Sequence, residues 1–318
     1  MISAVAGSGK TTLVRSWIDE EGLHDQVAWP VVGPDDRDPL RLWPAVLDAV
    51  RGTIPGSALA RALTPAPDLD GWGIAERLLT DLAPLADRIW LVIDHVHELD
   101  STEVLRQLEL LMMRAPSPLR FVLVTRRDVR LGLHRLRLDS ELTEIRTADL
   151  RFTLEEAREL FASAGVVLPE PSLALLLDRT EGWVAGLRLA ALSLTGHPSP
   201  ERFVTEFSGS ERTVAEYLLA EVLEQQSGQV RALLLRTSIL ERVNGELADL
   251  LTGDSGGGER VLQDLEQANA FVVCLDATRS WFRYHRLFAD LLHLQLRRTA
   301  PDELVTERRI IKVRLARR

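Results

Sequence analysis

The sequence predicts a doubly wound α/β domain, a parallel sheet with helices on both faces, followed by a predominantly helical half. Three observations carry this. The runs I-W-L-V-I-D (residues 89–94) and F-V-L-V-T (121–125) are almost continuously apolar, the pattern of strands buried on both faces. Strands alternate with amphipathic helical stretches to about residue 150. The chain also opens on I-S-A-V-A-G-S-G-K-T-T, which reads as a strand end, a glycine loop and a helix start.

In that opening stretch Gly7 and Gly9 let the backbone turn so that amide N–H groups converge on phosphate oxygens, and the helix beginning near Lys10 adds its positive dipole end. Lys10 is placed to reach terminal phosphates and Thr11 to hold magnesium. The strict pattern G-x-x-x-x-G-K-[ST] has glycine where this chain has Ala4, so the match is relaxed; alanine serves there if its φ stays negative. A helix is expected over Thr11–Glu21 and a short strand over Gln26–Val32, ended by the breaker run G-P-D-D-R-D-P. Asp38 then caps a helix over Pro39–Val50, proline being favoured at the first helical position. A Pro/Ala/Gly-rich loop spans Gly52–Gly71, and an amphipathic helix follows over Trp72–Leu85. After the strands at 89–94 and 121–125, a third run, L-T-E-I-R, covers 142–146. Ligands of such sheets bind at the carboxyl ends of the strands, which puts Asp94 and Arg126 at the edge occupied by the glycine loop.

From Thr153 helical periodicity dominates to about Leu251, starting with a capping box of Thr153 and Glu156. Gly165, Gly182 and the stretch Gly196–Pro200 divide it into short helices, and Ser255–Gly258 reads as a loop. A helix to Ala268, two β-like runs (F-V-V-C-L and W-F-R-Y) and a helix from His285 resemble a winged-helix arrangement.

At 318 residues the chain has room for about two domains, and 46% hydrophobic with 27% charged residues describes a globular protein. A net charge of −9 argues against a surface dominated by nucleic-acid binding. The single cysteine, Cys274, lies in an apolar run, can form no internal disulfide and is read as a packing residue, which fits a reducing cytoplasm. Arg188 interrupts the most apolar segment, Val184–Leu194, so no membrane span is expected, and the glycine loop breaks any signal-peptide pattern. The expected location is cytoplasmic.

A phosphate loop needs an acid at the end of a buried strand to position magnesium, and Asp94 fits. The next position, where a second acid would orient or activate water, is His95, which can act as a base near neutral pH but brings no fixed negative charge, leaving hydrolysis open. No Cys or carboxylate cluster at ligand spacing joins His95 and His97, so solvated or packing roles come ahead of metal binding. Arg126, with Arg127 as the adjacent alternative, follows its strand where a side chain could approach a terminal phosphate and tell ATP from ADP.

With these pieces in order, the sequence resembles the MalT-like branch of the STAND signal-transduction NTPases, the large ATP-binding LuxR-type transcriptional regulators. The resemblance runs from residue 1 to about 302 through A-G-S-G-K-T-T, L-V-I-D-H-V-H, V-T-R-R-D, L-T-E-I-R-T-A-D-L-R-F-T, T-E-G-W-V-A-G-L-R-L-A-A-L-S-L and W-F-R-Y-H-R-L-F-A-D-L-L. It implies an α/β P-loop NTPase domain (1–150) lacking most of its first strand, a small helical domain (151–198), a winged-helix domain (199–298) and a basic tail (299–318). By resemblance, Gly7, Ser8, Gly9, Lys10, Thr11 and Thr12 bind the phosphates of ATP or ADP, and Thr11 and Asp94 hold Mg2+. Arg126 matches the sensor arginine, Gly182 to Val184 the segment near the base, and His285 the winged-helix histidine that touches a bound diphosphate. The chain departs from the family pattern at Val184, His95 and Arg286, which stand where proline, a second acid and a second histidine are frequent. Relatives carry a segment before the phosphate loop that contacts the base, and continue into helical repeats and a DNA-binding helix-turn-helix. The tail with Arg308, Arg309, Lys312, Arg314, Arg317 and Arg318 is read as truncated or frame-altered in preference to a DNA-contacting arm. The implied function is a nucleotide switch that self-associates when ATP-bound, with DNA contacted only through a separate C-terminal domain and no membrane partner. The alternatives are a catalytic ATPase, with Asp94 and His95 as catalytic residues, and a non-functional remnant of a broken regulator gene.

Overall fold

The structure, a computed structural model, describes residues 1–31, 39–59, 71–99, 101–129, 131–253 and 256–300. It divides into two compact units, Met1–Ala4 with Gly9–Asp149, and Val5–Ser8 with the chain from Leu150 onward. In the first unit five strands, β1 (Ile2–Ser3), β2 (Val27–Ala28), β3 (Ile89–Ile93), β4 (Leu119–Thr125) and β5 (Ile145–Arg146), form one sheet in the order β2-β3-β4-β1-β5. Every pairing is parallel. The helices of this unit are α1 (Lys10–Glu21), α2 (Pro39–Arg51), α3 (Ile54–Leu59), α4 (Gly71–Leu82), α5 (Thr102–Arg114) and α6 (His134–Leu138).

Successive side chains of a strand point to opposite faces, and β3 uses both. Ile89, Leu91 and Ile93 join a core with Trp43 and Val46 of α2, Leu78 and Leu82 of α4, and Leu108 and Leu111 of α5. On the other face Trp90 stands edge-on to Trp17 of α1, with ring centroids 4.8 Å apart. Each fully buried Leu or Ile contributes about 1.5–3 kcal/mol, so the continuous apolar run is what a central strand requires. Within this core Trp43 Nε1 donates to Gln107 Oε1 at 2.6 Å, which satisfies two polar groups that would otherwise be stranded.

The register aligns the carboxyl ends of the central strands. Ser3 of β1 pairs with Thr125 of β4, and Ile93 of β3 pairs with Leu123 of β4. Asp94 and Arg126 therefore leave the sheet at the edge where Ala4 follows β1, and β4 lies between β1 and β3.

Three expectations change. The strand expected over 26–32 is paired only at Val27–Ala28, because Pro30 has no N–H to continue the ladder. The stretch expected as loop from Gly52 holds α3, where Pro55 sits in the first turn, the one helical position at which its missing donor costs nothing. The strand expected over 142–146 is reduced to Ile145–Arg146. Asp38, residue 32, residues 60–70 of the expected loop and residues 301–318 of the basic tail lie outside the described residues.

The second unit continues with α7 (Leu154–Ser163), α8 (Glu170–Thr180), α9 (Val184–Leu194), α10 (Pro200–Glu206) and α11 (Arg212–Leu218), which runs into a π-helical turn at Leu219–Leu223. Then come α12 (Gly228–Thr237), α13 (Gly245–Thr252), α14 (Gly258–Gln267), the antiparallel pair β6 (Val272–Cys274) and β7 (Phe282–Tyr284), and α15 (Arg286–Thr299). The expected capping box is present, Thr153 Oγ1 accepting from Glu156 N while the Glu156 carboxylate accepts from Thr153 N. One apolar cluster runs from Ala157 to Leu292 through α7–α9, the later helices and the hairpin. Cys274 is half-buried against it. Of the loop expected over 255–258, residue 255 lies outside the described residues and Gly258 already opens α14. Among the described residues no helix is long and apolar enough to cross a membrane.

Candidate nucleotide-phosphate site

In the first unit the site begins at the N-terminus of α1. Gly9, the residue before it, is left-handed at φ 77°, no side chain caps the helix, and its first turn holds no acidic residue. With no capping side chain, the N–H groups of that first turn point along the helix axis toward the loop, and the helix dipole favours an anion there. Ala4 is fully buried and is not among the residues with positive φ, so alanine meets the condition the relaxed motif sets.

Lys10 is buried, and its Nζ donates to the Ala4 carbonyl at 2.8 Å. Burial first, then the Arg126 charge, pushes its pKa down to about 8, with Asp94 opposing. Thr11 Oγ1 donates to Asp94 Oδ2 at 2.7 Å, while Asp94 Oδ1 accepts from His95 N at 2.8 Å. The structure thus brings Lys10, Thr11 and Asp94 together and leaves Thr12 exposed on α1. His95 is left-handed at φ 57° with an exposed side chain, its Nδ1 4.0 Å from Asp94 Oδ1.

His97 has a connection that motif spacing did not reveal. Its Nδ1 accepts from the Arg126 backbone N–H at 3.3 Å, and its carbonyl accepts from Arg127 Nη2 at 2.8 Å. Burial, followed by the charges of Arg126, His95, Lys10 and Arg127, pushes its pKa down to about 3, so the ring is neutral and keeps this acceptor. The segment after β3 is thereby tied to the end of β4. Among the described residues no group of three or more His, Cys, Asp or Glu side chains could hold a metal ion.

The remaining expected residues lie in the second unit. The loop Val5–Ser8 belongs to it, with Trp183 Nε1 donating to the Ala6 carbonyl at 2.9 Å and Ala185 N to the Gly7 carbonyl at 3.0 Å. Gly7 is left-handed at φ 71°, and a Cβ there would lie 2.5 Å from Ala185 Cβ and 2.8 Å from the Tyr217 hydroxyl. Gly182 is also left-handed, Val184 opens α9, and between them sits Trp183, which lies within the segment expected near the base but had no role of its own assigned to it.

His285 is buried. Its Nε2 faces the Thr180 carbonyl at 2.9 Å and, since a carbonyl can only accept, carries the proton. Its Nδ1 is buried without a partner among the described residues. Burial pushes its pKa down to about 4 against the nearby Glu181 carboxylate. Glu181, left-handed at φ 49°, accepts two hydrogen bonds from Arg283, each 2.7 Å, and one from Arg286 N.

The MalT winged helix domain family model matches residues 219–304. The serine/threonine-protein kinase PknK of Mycobacterium tuberculosis is 32% identical over 302 residues, covering 94% of this chain and 27% of that protein. The HTH-type transcriptional regulator MalT of Serratia proteamaculans is 30% identical over 298 residues, covering 92% of this chain and 32% of that protein. The chain therefore spans about a third of the length of these relatives or less. Among solved structures, a Walker-type ATPase of Pyrococcus abyssi is similar with a TM-score of 0.60 at 14% identity, covering 92% of this chain and 89% of that one. The Aeropyrum pernix ORC2 protein, solved as ADPNP–ADP complexes, is similar with a TM-score of 0.51 at 16% identity, covering 99% and 88%. At these identities the structural likeness speaks to the fold, a P-loop NTPase sheet followed by a winged helix. By its motif order, its fold and its sequence similarity, the chain belongs to the MalT-like STAND NTPases.

Proposed function

We propose that the chain is the ATP- and ADP-binding switch module of a LuxR-type transcriptional regulator, in which the bound nucleotide sets domain closure and self-association. One observation carries the reading: Lys10, Thr11 and Asp94 meet at the N-terminus of α1, which no side chain caps, where a polyphosphate would find a cation and the positive end of the helix dipole. Thr11 Oγ1 and the Asp94 carboxylate are adjacent hard oxygen donors, a set that fits Mg2+ bound together with phosphate oxygens. The metal would neutralise phosphate charge. Lys10 would hold the terminal phosphates and Arg126 would report whether a third phosphate is present.

In the second unit the reading assigns Gly7 and Ser8 to the phosphates, and Gly182, Val184 and His285 to the nucleotide by resemblance. The buried, unpartnered Nδ1 of His285 supports a ligand role for that ring. We also adopt the partition into residues 1–150, 151–198, 199–298 and 299–318. Relatives named as a serine/threonine-protein kinase and as an HTH-type transcriptional regulator favour a regulatory module serving separate output domains. The net charge of −9 favours DNA contact by such a separate domain.

The test is titration with ATP or ADP in the presence of Mg2+, followed by light scattering. Saturable binding of both, with larger assemblies in ATP alone, supports the switch. Binding without any difference in assembly between the nucleotides would overturn it. Steady phosphate release, lost in Lys10→Ala and reduced in His95→Ala, would instead favour an ATPase whose output is turnover.

A further inference from the structure

We propose that Trp183, with the first turn of α9, is the positioning element that holds the phosphate loop in its anion-accepting shape; this rests on the nucleotide reading above. Two carbonyls of the loop are fixed from within the second unit, Ala6 by the Trp183 indole N–H at 2.9 Å and Gly7 by the Ala185 amide at 3.0 Å. The chain contains no cis peptide among the described residues, and in a planar trans peptide the C=O and the following N–H point in opposite directions. Tethering the Ala6 carbonyl therefore aims the Gly7 N–H away from Trp183, and tethering the Gly7 carbonyl aims the Ser8 N–H away from α9. Among the described residues nothing accepts from either amide. Two adjacent backbone donors are thus held in fixed directions, as recognition of a phosphate oxygen requires.

The tether is itself rigid. Trp183 is 4% exposed, with its ring 5.0 Å from that of Phe271, 5.6 Å from Tyr217 and 6.1 Å from His285. Phe271 and His285 flank the β6–β7 hairpin, so an indole bonded to the phosphate loop is packed directly on the winged-helix half of its unit. The missing Cβ of Gly7 lets the loop approach this closely. Trp183 acts here on the loop, which differs from a role against the nucleotide base.

Trp183→Phe keeps an aromatic ring on the side of Phe271 and Tyr217 and removes the N–H that bonds Ala6, together with the rest of the indole. In calorimetric titrations of the 318-residue chain with MgATP and with inorganic tripolyphosphate, the variant is expected to weaken both by the same factor, roughly two- to tenfold, the worth of one hydrogen bond. A variant that binds both as the wild type does would overturn the inference, as would one weakened for ATP alone, which would place Trp183 at the base. Wild-type protein that binds neither probe would overturn the nucleotide reading itself. If Trp183→Phe does not fold, the Trp183 indole N–H resonance of the wild type decides. A hydrogen-bonded, exchange-protected signal that moves when tripolyphosphate is added supports the tether, and one that exchanges freely or does not move contradicts it.

Discussion

Lys10 carries a charge in a place that opposes it. Its ammonium is buried and donates to the Ala4 carbonyl, and burial with Arg126 brings its pKa down to about 8. A polyphosphate favours the charged form, so the pKa of Lys10 in the complex lies above 8. Affinity is then complete below pH 8 and falls as pH rises from 8 toward the pKa of the complex, by at most about tenfold per pH unit. Titrating ATP at pH 7, 8 and 9 checks this, and residual binding by Lys10→Ala should be flat over the same range. Gly7 makes a second prediction at this scale. Alanine there meets both a left-handed φ of 71° and the close Ala185 and Tyr217 atoms, so Gly7→Ala should lose at least about 1–2 kcal/mol of stability in urea unfolding and bind ATP more weakly.

Between elements, the segment after β3 is tied to the end of β4 through His97, whose ring accepts from the Arg126 amide and whose carbonyl accepts from Arg127. His97→Ala removes the acceptor for the Arg126 amide and should reduce the preference between ATP and ADP while leaving ADP affinity near that of the wild type; comparing the two affinities tests it. Trp43→Phe leaves Gln107 Oε1 without its donor in a fully buried setting and should cost about 1–3 kcal/mol, read by urea unfolding. How far these elements were legible in the sequence depends on the range over which each is determined. Strands β3 and β4 were legible because burial on two faces writes a continuous apolar run, and the start of α7 because a capping box lies within four residues. Helix α3 was hidden because Pro55, Gly56 and Ser57 carry the signature of a turn, although Pro in a first turn is compatible with a helix. The bond from Trp183 to Ala6 spans 177 residues, and no local spacing rule reports it.

Across the molecule, the glycine-loop motif for Lys10 and Thr11 and a strand end for Asp94 placed the three at one sheet edge, and their contacts follow from the order β2-β3-β4-β1-β5. The second unit contains a pH-dependent link of its own. Burial would raise the Glu181 carboxyl, but the Arg283 hydrogen bonds, the His285 and Arg283 charges and the Arg286 amide hold it down to about 2. A carboxyl depressed on folding stabilises fully above its unfolded pKa near 4.5 and loses that contribution as pH falls toward 2. Thermal unfolding between pH 7 and pH 2 should show Glu181→Gln less stable at neutrality and less sensitive to acid than the wild type. The central claim, that this is a nucleotide-binding module built on Lys10, Thr11 and Asp94, is tested most directly by calorimetric titration of MgATP and MgADP into wild type and Lys10→Ala at pH 7. One-to-one binding of both nucleotides by the wild type, weakened roughly tenfold to a hundredfold in the variant as loss of a charge-assisted phosphate contact requires, is the predicted result. No binding by the wild type, or equal binding by the two proteins, would contradict it.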